Sequence, residues 1–296
     1  MGILLGLTAA IGWGTGDFLV RGATRRIGSF LSLFYMQFFG LLFILLVTIL
    51  SDELRVGIAR IDPAAILLLA LTVAIGIAGS LQLYQAFATG MLAVVSPIAA
   101  SYAAITLVLS LLSGEQLTAA RAIGVAICLC GVLLSSIERS SKTGIDDHSQ
   151  PRGWRLPPGV INAIGAAICY GIVFWLMGFH VIPRLGSLFS VTATRFGSVV
   201  IALPLLALLL GRSLRPPSKR DLRILLAVGV IDTAAFVAAM IGSSTEQVSI
   251  VTVLSSMFSA WTVLLAWIFY KERPLKLQWM GISLIFMGIV LVSLGG

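Results

Sequence analysis

Three ionisable side chains lie inside long apolar stretches of this 296-residue sequence, where a charge is costly unless a partner compensates it. Arg195 lies in SVTATRFGSVV, and its planar guanidinium could hold an anion or a carboxylate in a central cavity. The alternative is a structural Arg that is held by backbone carbonyls or by a carboxylate. The residue type and its depth in the apolar stretch are compatible with either role, and both remain open.

Asp232 is the second of these side chains and lies in AVGVIDTAAFV, near the middle of its apolar stretch. A carboxylate surrounded by hydrocarbon must take up a proton or acquire a cationic partner. Asp232 could therefore couple the movement of protons to another process. It could equally be the partner that neutralises Arg195.

Asp17 is the third, and it lies four residues before Arg21 in GWGTGDFLVR. Residues four apart lie on the same face of a helix and can interact. Because the first apolar stretch is predicted to end near residue 20, the spacing favours an ion pair at the membrane edge. A role for Asp17 as a ligand of a bound molecule is the second interpretation.

Further polar and aromatic residues of the apolar stretches could offer hydrogen bonds and ring faces to a bound molecule. The same residue types also serve helix packing, and Trp marks membrane interfaces. The candidates for lining a pathway are Trp13, Gln37, Gln82, Tyr84, Tyr102, Tyr170, Trp175, Ser255 and Trp261. The candidates for a hinge or a gate are Gly14 and Pro97, since both weaken the regular helix.

The composition identifies the solvent in which these residues must be held. Hydrophobic residues make up 58% of the chain and charged residues 11%, against about 25% charged in a soluble domain. A soluble protein of this length cannot bury so much apolar surface, so the chain is predicted to be an integral membrane protein. Its net charge of +8 comes from short connectors, which suits lipid headgroups and excludes nucleic acid as a partner.

Residues that usually carry catalysis or hold metals are scarce. The only histidines are His148 and His180, and the sequence has no metalloprotease or nucleophile-elbow motif, so no enzyme is predicted. The three cysteines lie in apolar stretches without metal-ligand spacing. No metal and no cofactor are therefore expected.

The apolar stretches are long enough for transmembrane helices, which need about 20 residues each. Ten spans are predicted, approximately at 2–20, 30–50, 64–87, 91–112, 119–137, 158–178, 188–210, 222–241, 248–269 and 275–294. The longest hydrophilic connector, residues 138–157, has the composition of a linker. The predicted fold is an all-α membrane protein with ten transmembrane helices.

The two sides of this linker carry the same sequence pattern. An offset of 157 residues aligns GEQLTAARAIG with KERPLKLQWMG, pairing Glu115 with Glu272 and Gly124 with Gly281. It also aligns AAIGWG with AAICYG, and one inserted residue then aligns RIGSFLS with RLGSLFS and Gln37 with Arg195. We therefore predict two homologous five-helix units, residues 1–137 and 158–296.

An odd number of spans in each unit forces the second unit to enter the membrane from the opposite side. Such inverted repeats can exchange conformations and open a central site to each face in turn, which predicts a secondary transporter. A facilitative channel and a receptor or scaffold without transport are the alternatives. Paired glycines seven apart, including Gly124 and Gly281, predict that the fifth and tenth spans are packing elements.

These features resemble the EamA-type members of the drug/metabolite transporter superfamily. The resemblance rests on Trp13-Gly14 and Tyr170-Gly171, and on GEQLTAARAIGVAICLCGVLL at residues 114–134. The second copy departs from this pattern, since Lys271 replaces the Gly and Pro274 replaces the Leu. The resemblance implies ATP-independent transport of a small metabolite such as an amino acid, a sugar or a drug-like solute, with protons as one option for coupling.

The partners expected from this interpretation are a small-molecule substrate, the lipid bilayer and protons. The chain is expected to be a monomer or a weak homodimer in the plasma membrane, which is the inner membrane in a Gram-negative cell. The basic residues of the connectors favour both termini outside, whereas the resemblance favours both inside.

Overall fold

Helices account for all the regular secondary structure in the described part of the chain. A computed structural model describes residues 1–90, 92–135, 158–210, 217–270 and 276–294, and these ranges contain no β-strand. The all-α prediction is confirmed. The predicted linker at 138–157 lies outside the described residues, as do Lys271, Glu272 and Pro274 of the second motif copy.

The helices fall on either side of the linker. Those before it are α1 Gly2–Ile27, α2 Ser29–Leu50, α3 Glu53–Ala59, α4 Pro63–Thr89, α5 Leu92–Ala100, α6 Tyr102–Leu112 and α7 Ala119–Ser135. Those after it are α8 Val160–Leu176, a π-helical turn Met177–Val181, α9 Ile182–Leu185, α10 Ser187–Leu210, α11 Lys219–Thr245, α12 Val248–Ser255, α13 Phe258–Tyr270 and α14 Lys276–Leu294.

Eight helical segments of the described residues are long and apolar enough to cross a membrane. They are Gly2–Ile27, Ser29–Leu50, Pro63–Thr89, Val95–Leu112, Val160–Leu185, Ser187–Pro204, Lys219–Thr245 and Val248–Phe269. Two shorter apolar stretches, Ala119–Gly131 and Trp279–Val292, lie in α7 and α14. Large hydrophobic side chains such as Leu67 and Phe269 are exposed on the outside of the bundle, as a lipid-facing surface requires. The protein is therefore a multi-pass membrane protein.

The ends of several helices follow from local sequence. Gly28 and Gly186 adopt φ values of 90° and 78° where α1 and α9 end, a region of backbone space that glycine enters without strain. Asp62 caps α4 by accepting a hydrogen bond from the Ala65 amide at 2.6 Å. Ser218 and Asp221 form a capping box at the start of α11.

The predicted first and sixth spans ended too early. α1 continues to Ile27, and the π-helical turn and α9 carry the sixth span to Leu185, so the connectors predicted at 21–29 and 179–187 are wrong. In these helix ends Arg26 and Arg184 contact the carboxylates of Asp221 and Asp62 respectively.

The predicted fourth and ninth spans are each broken once. α5 gives way to α6 at Ser101, and α12 gives way to α13 at Ser256 and Met257. The hydroxyls of Ser101 and Ser256 donate to the carbonyls of Ile98 and Val253, both at 2.7 Å, which competes with the regular helical bonds. Each break divides the fourth span of its half of the chain into two helices.

The long helices are arranged in antiparallel pairs. α1 lies against α11, with Gly2 beside Glu246 at one end and Arg26 beside Asp221 at the other. α4 likewise runs antiparallel to α8 and α9. Arg25 at the end of α1 donates to the Gly90 carbonyl after α4 at 2.9 Å. The ends of α1 and α4 therefore lie at the same end of the bundle.

α7 and α14 cross at glycines. A Cβ atom at Gly124 would lie 2.9 Å from the Gly288 carbonyl oxygen, and one at Gly288 would lie 2.6 Å from the Gly124 carbonyl oxygen. The two backbones are therefore in direct contact, as small residues permit in membranes. The predicted packing role of these two helices is confirmed.

Candidate functional site

An interior cavity is surrounded by four helices from each side of the linker. Its lining residues come from α1, α2, α4 and α6, and from α8, α10, α11 and α13. The volume of this cavity is about 130 Å³. Eight of the twelve predicted binding or coupling candidates line it, namely Trp13, Asp17, Gln37, Tyr84, Tyr102, Tyr170, Arg195 and Asp232.

Arg195 is held by side chains from two neighbouring helices. Its Nη2 atom donates to Asp232 on α11, and its Nη1 atom donates to Gln37 on α2. The guanidinium also lies over the Phe236 ring at 5.6 Å from the centroid. Of the alternatives that the sequence left open, the geometry favours the buried ion pair, since both terminal nitrogens already have partners.

Asp17 does not form the predicted ion pair. The ion pairs of the described residues do not include one between Asp17 and Arg21, and Asp17 lines the cavity instead. Its Oδ2 atom is buried, and no donor among the described residues reaches it. The prediction failed because α1 continues to Ile27, which moves Asp17 away from the membrane edge.

Aromatic rings form one wall of the cavity, contributed by Trp13, Tyr102, Tyr170, Phe174 and Phe258. The ring centroids of Trp13 and Phe174 are 5.6 Å apart, and those of Tyr102 and Phe174 are 4.9 Å apart. The Tyr170 hydroxyl donates to Ser80 at 3.0 Å, and the Tyr102 hydroxyl is bonded to Ser255 at 2.9 Å. We call these five rings the aromatic wall.

The other four predicted candidates lie outside the cavity lining. Gln82 donates to the Ala78 carbonyl at 3.2 Å, and Trp175 donates to Ser113 at 2.7 Å. Trp261 donates to Thr15 at 3.0 Å. Ser255 is buried behind the aromatic wall and touches the cavity only through Tyr102.

The two hinge candidates lie where helices are closely packed or bent. A Cβ atom at Gly14 would lie 2.6 Å from the Phe258 carbonyl oxygen, so this glycine allows α1 to approach α13. Pro97 lies inside α5, shortly before the break at Ser101.

Several lining residues were missed by sequence analysis. They are Thr72, Ser80, Thr194, Ser198, Phe174 and Phe236. Two signals could have found some of them. Thr194 and Ser198 flank Arg195 within one helical turn, and Phe174 is the repeat equivalent of Asp17. Within the described residues, no group of three or more His, Cys, Asp or Glu side chains is arranged to hold a metal ion.

Apolar spans around a polar and aromatic cavity define a multi-pass membrane protein with an interior site. The sequence pattern of the EamA-like transporter family matches residues 1–137 and again residues 157–294. The chain belongs to this family and is therefore a membrane transporter of the drug/metabolite type. The resemblance identified from the sequence motifs is confirmed.

Comparison with solved structures agrees with this assignment at the level of the fold. The crystal structure of another protein superposes with a TM-score of 0.73 at 18% sequence identity, covering 99% of this chain and 96% of that chain. At this identity the likeness shows the fold alone. A search of curated protein sequences finds no match to the chain.

Proposed function

We propose that the protein is a secondary active transporter that moves a small metabolite by alternating access. In this proposal α7 and α14 also cross the membrane, which gives ten spans in two inverted five-helix units, residues 1–137 and 158–296. The cavity between the units is the solute site.

The first support is the relative direction of the two units. Arg25 at the end of α1 is bonded to Gly90, and a Cβ atom at Gly159, just before α8, would lie 3.2 Å from the Gly90 Cα atom. The C-terminal end of α1 therefore lies beside the N-terminal end of α8. This is expected if the second unit repeats the first with the opposite orientation.

The second support is a set of reciprocal contacts. In a two-fold arrangement, residue i of one copy contacts residue j of the other, and j contacts i. The Thr106 hydroxyl donates to the Gly171 carbonyl at 3.0 Å, and the Thr262 hydroxyl donates to the Gly14 carbonyl at 3.3 Å. Thr106 and Thr262 are each the fifth residue of their helix, α6 and α13, and Gly14 and Gly171 are aligned by the offset of 157 residues.

Equivalent residues also contact each other at the cavity. Gln37 is aligned with Arg195, and the two are hydrogen-bonded. Tyr102 and Phe258 are the first residues of α6 and α13, the helices that follow the two breaks. Their rings are stacked with centroids 6.4 Å apart. Two equivalent residues can meet only near the axis that relates their copies. These contacts support a solute site on that axis.

The observation that carries the proposal is two ion pairs at opposite ends of the bundle, which join the aligned Arg26 and Arg184 to carboxylates at the starts of α11 and α4. Arg26 binds Asp221 at 2.5 Å near the C-terminal end of α4, where the two side chains are 46% and 5% exposed. Arg184 approaches Asp62 at 3.8 Å at the N-terminal end of α4, where the side chains are 48% and 57% exposed. One tight pair and one loose pair are the asymmetry expected of a carrier that is closed at one face.

Cross-linking each ion pair tests alternating access. In a background where Cys128, Cys130 and Cys169 are replaced by Ala, one variant carries Arg26→Cys with Asp221→Cys, and the other carries Asp62→Cys with Arg184→Cys. A panel of labelled amino acids, sugars and cationic drugs first identifies a solute that reconstituted vesicles exchange in counterflow. A bifunctional maleimide with a reducible spacer then bridges each pair.

We expect either bridge to lower counterflow at least tenfold and a reductant to restore it, because each bridge prevents one of the two open states. The two double variants are matched controls for each other, and the four single variants control for labelling alone. Full counterflow in both bridged double variants would contradict alternating access. Flux that rises without saturation would instead favour a facilitative channel, and the absence of flux for every solute would favour a receptor or scaffold.

Coupling to protons is the finer part of the proposal and rests on the two carboxylates of the cavity, Asp17 and Asp232. Each can exchange a proton when its surroundings change during the cycle. We expect an imposed pH gradient to drive uptake into vesicles and Asp232→Asn to remove this drive while counterflow persists. Wild-type uptake that is the same with and without the gradient would rule out coupling.

A further inference from the structure

Asp17 is the one cavity carboxylate of the described residues that has neither an ion-pair partner nor a donor on its buried oxygen. Resting on the proposed function, we infer that the solute carries a positively charged amine, with Asp17 as its counter-ion and the aromatic wall around its apolar part. The site thus selects organic cations.

The charges of the cavity favour a cation. Among the described lining residues, Asp17 and Asp232 are carboxylates and Arg195 is the cation. Arg195 is bound to Asp232, so the two charges compensate each other. The carboxylate of Asp17 is left over, and a buried carboxylate is stabilised most by a cation that binds directly to it.

The same geometry disfavours an anion. An anionic solute would need Arg195, but the charge of that guanidinium is already compensated by Asp232, and its Nη1 atom donates to Gln37. It would also lie in the same cavity as the uncompensated charge of Asp17. Displacing Asp232 would leave a second carboxylate without a partner, which adds to the cost.

The aromatic wall suits the rest of such a solute. Trp13 lies one helical turn before Asp17 on α1 and packs against Phe174, so rings lie beside the carboxylate. Ring faces attract ammonium groups, and their area buries an apolar substituent. The tyrosine hydroxyls are bonded to Ser80 and Ser255, which leaves Asp17 as the strong acceptor for the ammonium.

Binding of three probes of similar size tests the inference. Phenethylamine is a cation at pH 7, 2-phenylethanol is neutral and 3-phenylpropanoate is an anion. Equilibrium dialysis against the full-length protein in lipid nanodiscs gives a dissociation constant for each. We expect phenethylamine to bind at least tenfold more tightly than the alcohol and 3-phenylpropanoate not to compete with it.

Variants then assign the selectivity to Asp17. Asp17→Asn should weaken phenethylamine binding at least tenfold and leave binding of the alcohol unchanged, whereas Asp17→Glu should retain most of the affinity. Asp52→Asn is the matched control, since Asp52 is exposed and has a φ of 59°, which Asn tolerates. If Asp17→Asn does not fold, the ranking of the three probes on the wild-type protein still decides.

The inference is overturned if the anion or the alcohol binds as tightly as phenethylamine, if no amine binds, or if Asp17→Asn binds phenethylamine normally. Its failure is distinct from failure of the proposed function. A protein that exchanges another solute in counterflow but ignores amines remains a carrier. One that binds phenethylamine through Asp17 but exchanges no solute is not a carrier.

Discussion

A guanidinium among apolar helices needs a partner, and Arg195 has one in Asp232 on the neighbouring helix. Arg195 is almost fully buried, and Gln37 and the Phe236 ring complete its surroundings. Removing one member of such a pair leaves an uncompensated charge, while removing both leaves a polar but neutral site. The pair therefore stabilises the centre of the cavity whether or not it contacts the solute.

A double-mutant cycle measures this contribution. Asp232→Asn should lower the free energy of unfolding by about 3 kcal/mol, the lower end of the range for a buried pair, because the Asp232 side chain is 23% exposed. Adding Arg195→Gln should restore part of the loss. Unfolding in mixed micelles provides the measurement, with Asp52→Asn as the control. Additive effects, within about 0.5 kcal/mol, would show that the pair is not coupled.

Sequence reasoning found the charged residues of the cavity but misjudged Asp17. Depth in an apolar stretch identified Arg195 and Asp232, and their mutual neutralisation was one of the two alternatives. Helical spacing shows only that Asp17 and Arg21 can meet. It does not show whether their face of the helix is directed towards lipid or towards neighbouring helices, which depends on how α1 packs against α4, α11 and α13.

At the scale of a helix, Glu115 of the first Gly-Glu motif copy has a structural role. Its carboxylate accepts hydrogen bonds from the Ser249 amide, at 3.2 and 3.4 Å, and from the Ser249 hydroxyl, in the first turn of α12. A carboxylate at a helix N-terminus satisfies free amides and interacts favourably with the helix dipole. Glu115 therefore caps a helix that lies beyond the linker.

Glu115→Ala should destabilise the protein by about 1–2 kcal/mol, because the amides at the start of α12 lose their acceptor. Glu115→Gln, which keeps an oxygen acceptor but not the charge, should cost less. Thermal unfolding of both variants in detergent measures the difference, with Glu53→Ala, at a half-buried residue, as a comparison at another helix start. Equal unfolding temperatures for Glu115→Ala and the wild type would contradict the capping role.

At the scale of helices, sequence patterns predicted the existence of the elements better than their ends. Apolar length identified each long helix, and the glycines of RIGS and RLGS lie where α1 and α9 end. The breaks near Ser101 and Ser256 were not foreseen, because they depend on hydroxyl-to-carbonyl bonds within otherwise apolar helices. Such bonds have no periodic signature in the sequence.

For the whole molecule, the predicted architecture rested mainly on the internal repeat. A single offset, with one inserted residue, predicted that the two sides of the linker are homologous, and the family pattern matches once on each side. The location of the cavity could not be read from the repeat alone, because it depends on which helix faces meet. Of the aligned positions, Gln37 and Arg195 are hydrogen-bonded to each other in the cavity, which is the strongest link between the sequence repeat and the site.

The contact between α7 and α14 follows the sequence repeat more closely than the cavity does. Gly124 is aligned with Gly281, and Gly131 with Gly288, so both copies have kept the small residues that let the two helices clasp. Asp17 and Phe174, by contrast, have become different residues at aligned positions that both face the cavity. The helix contact thus uses the same small residues on both sides of the linker, whereas the cavity uses a carboxylate on one side and a ring on the other.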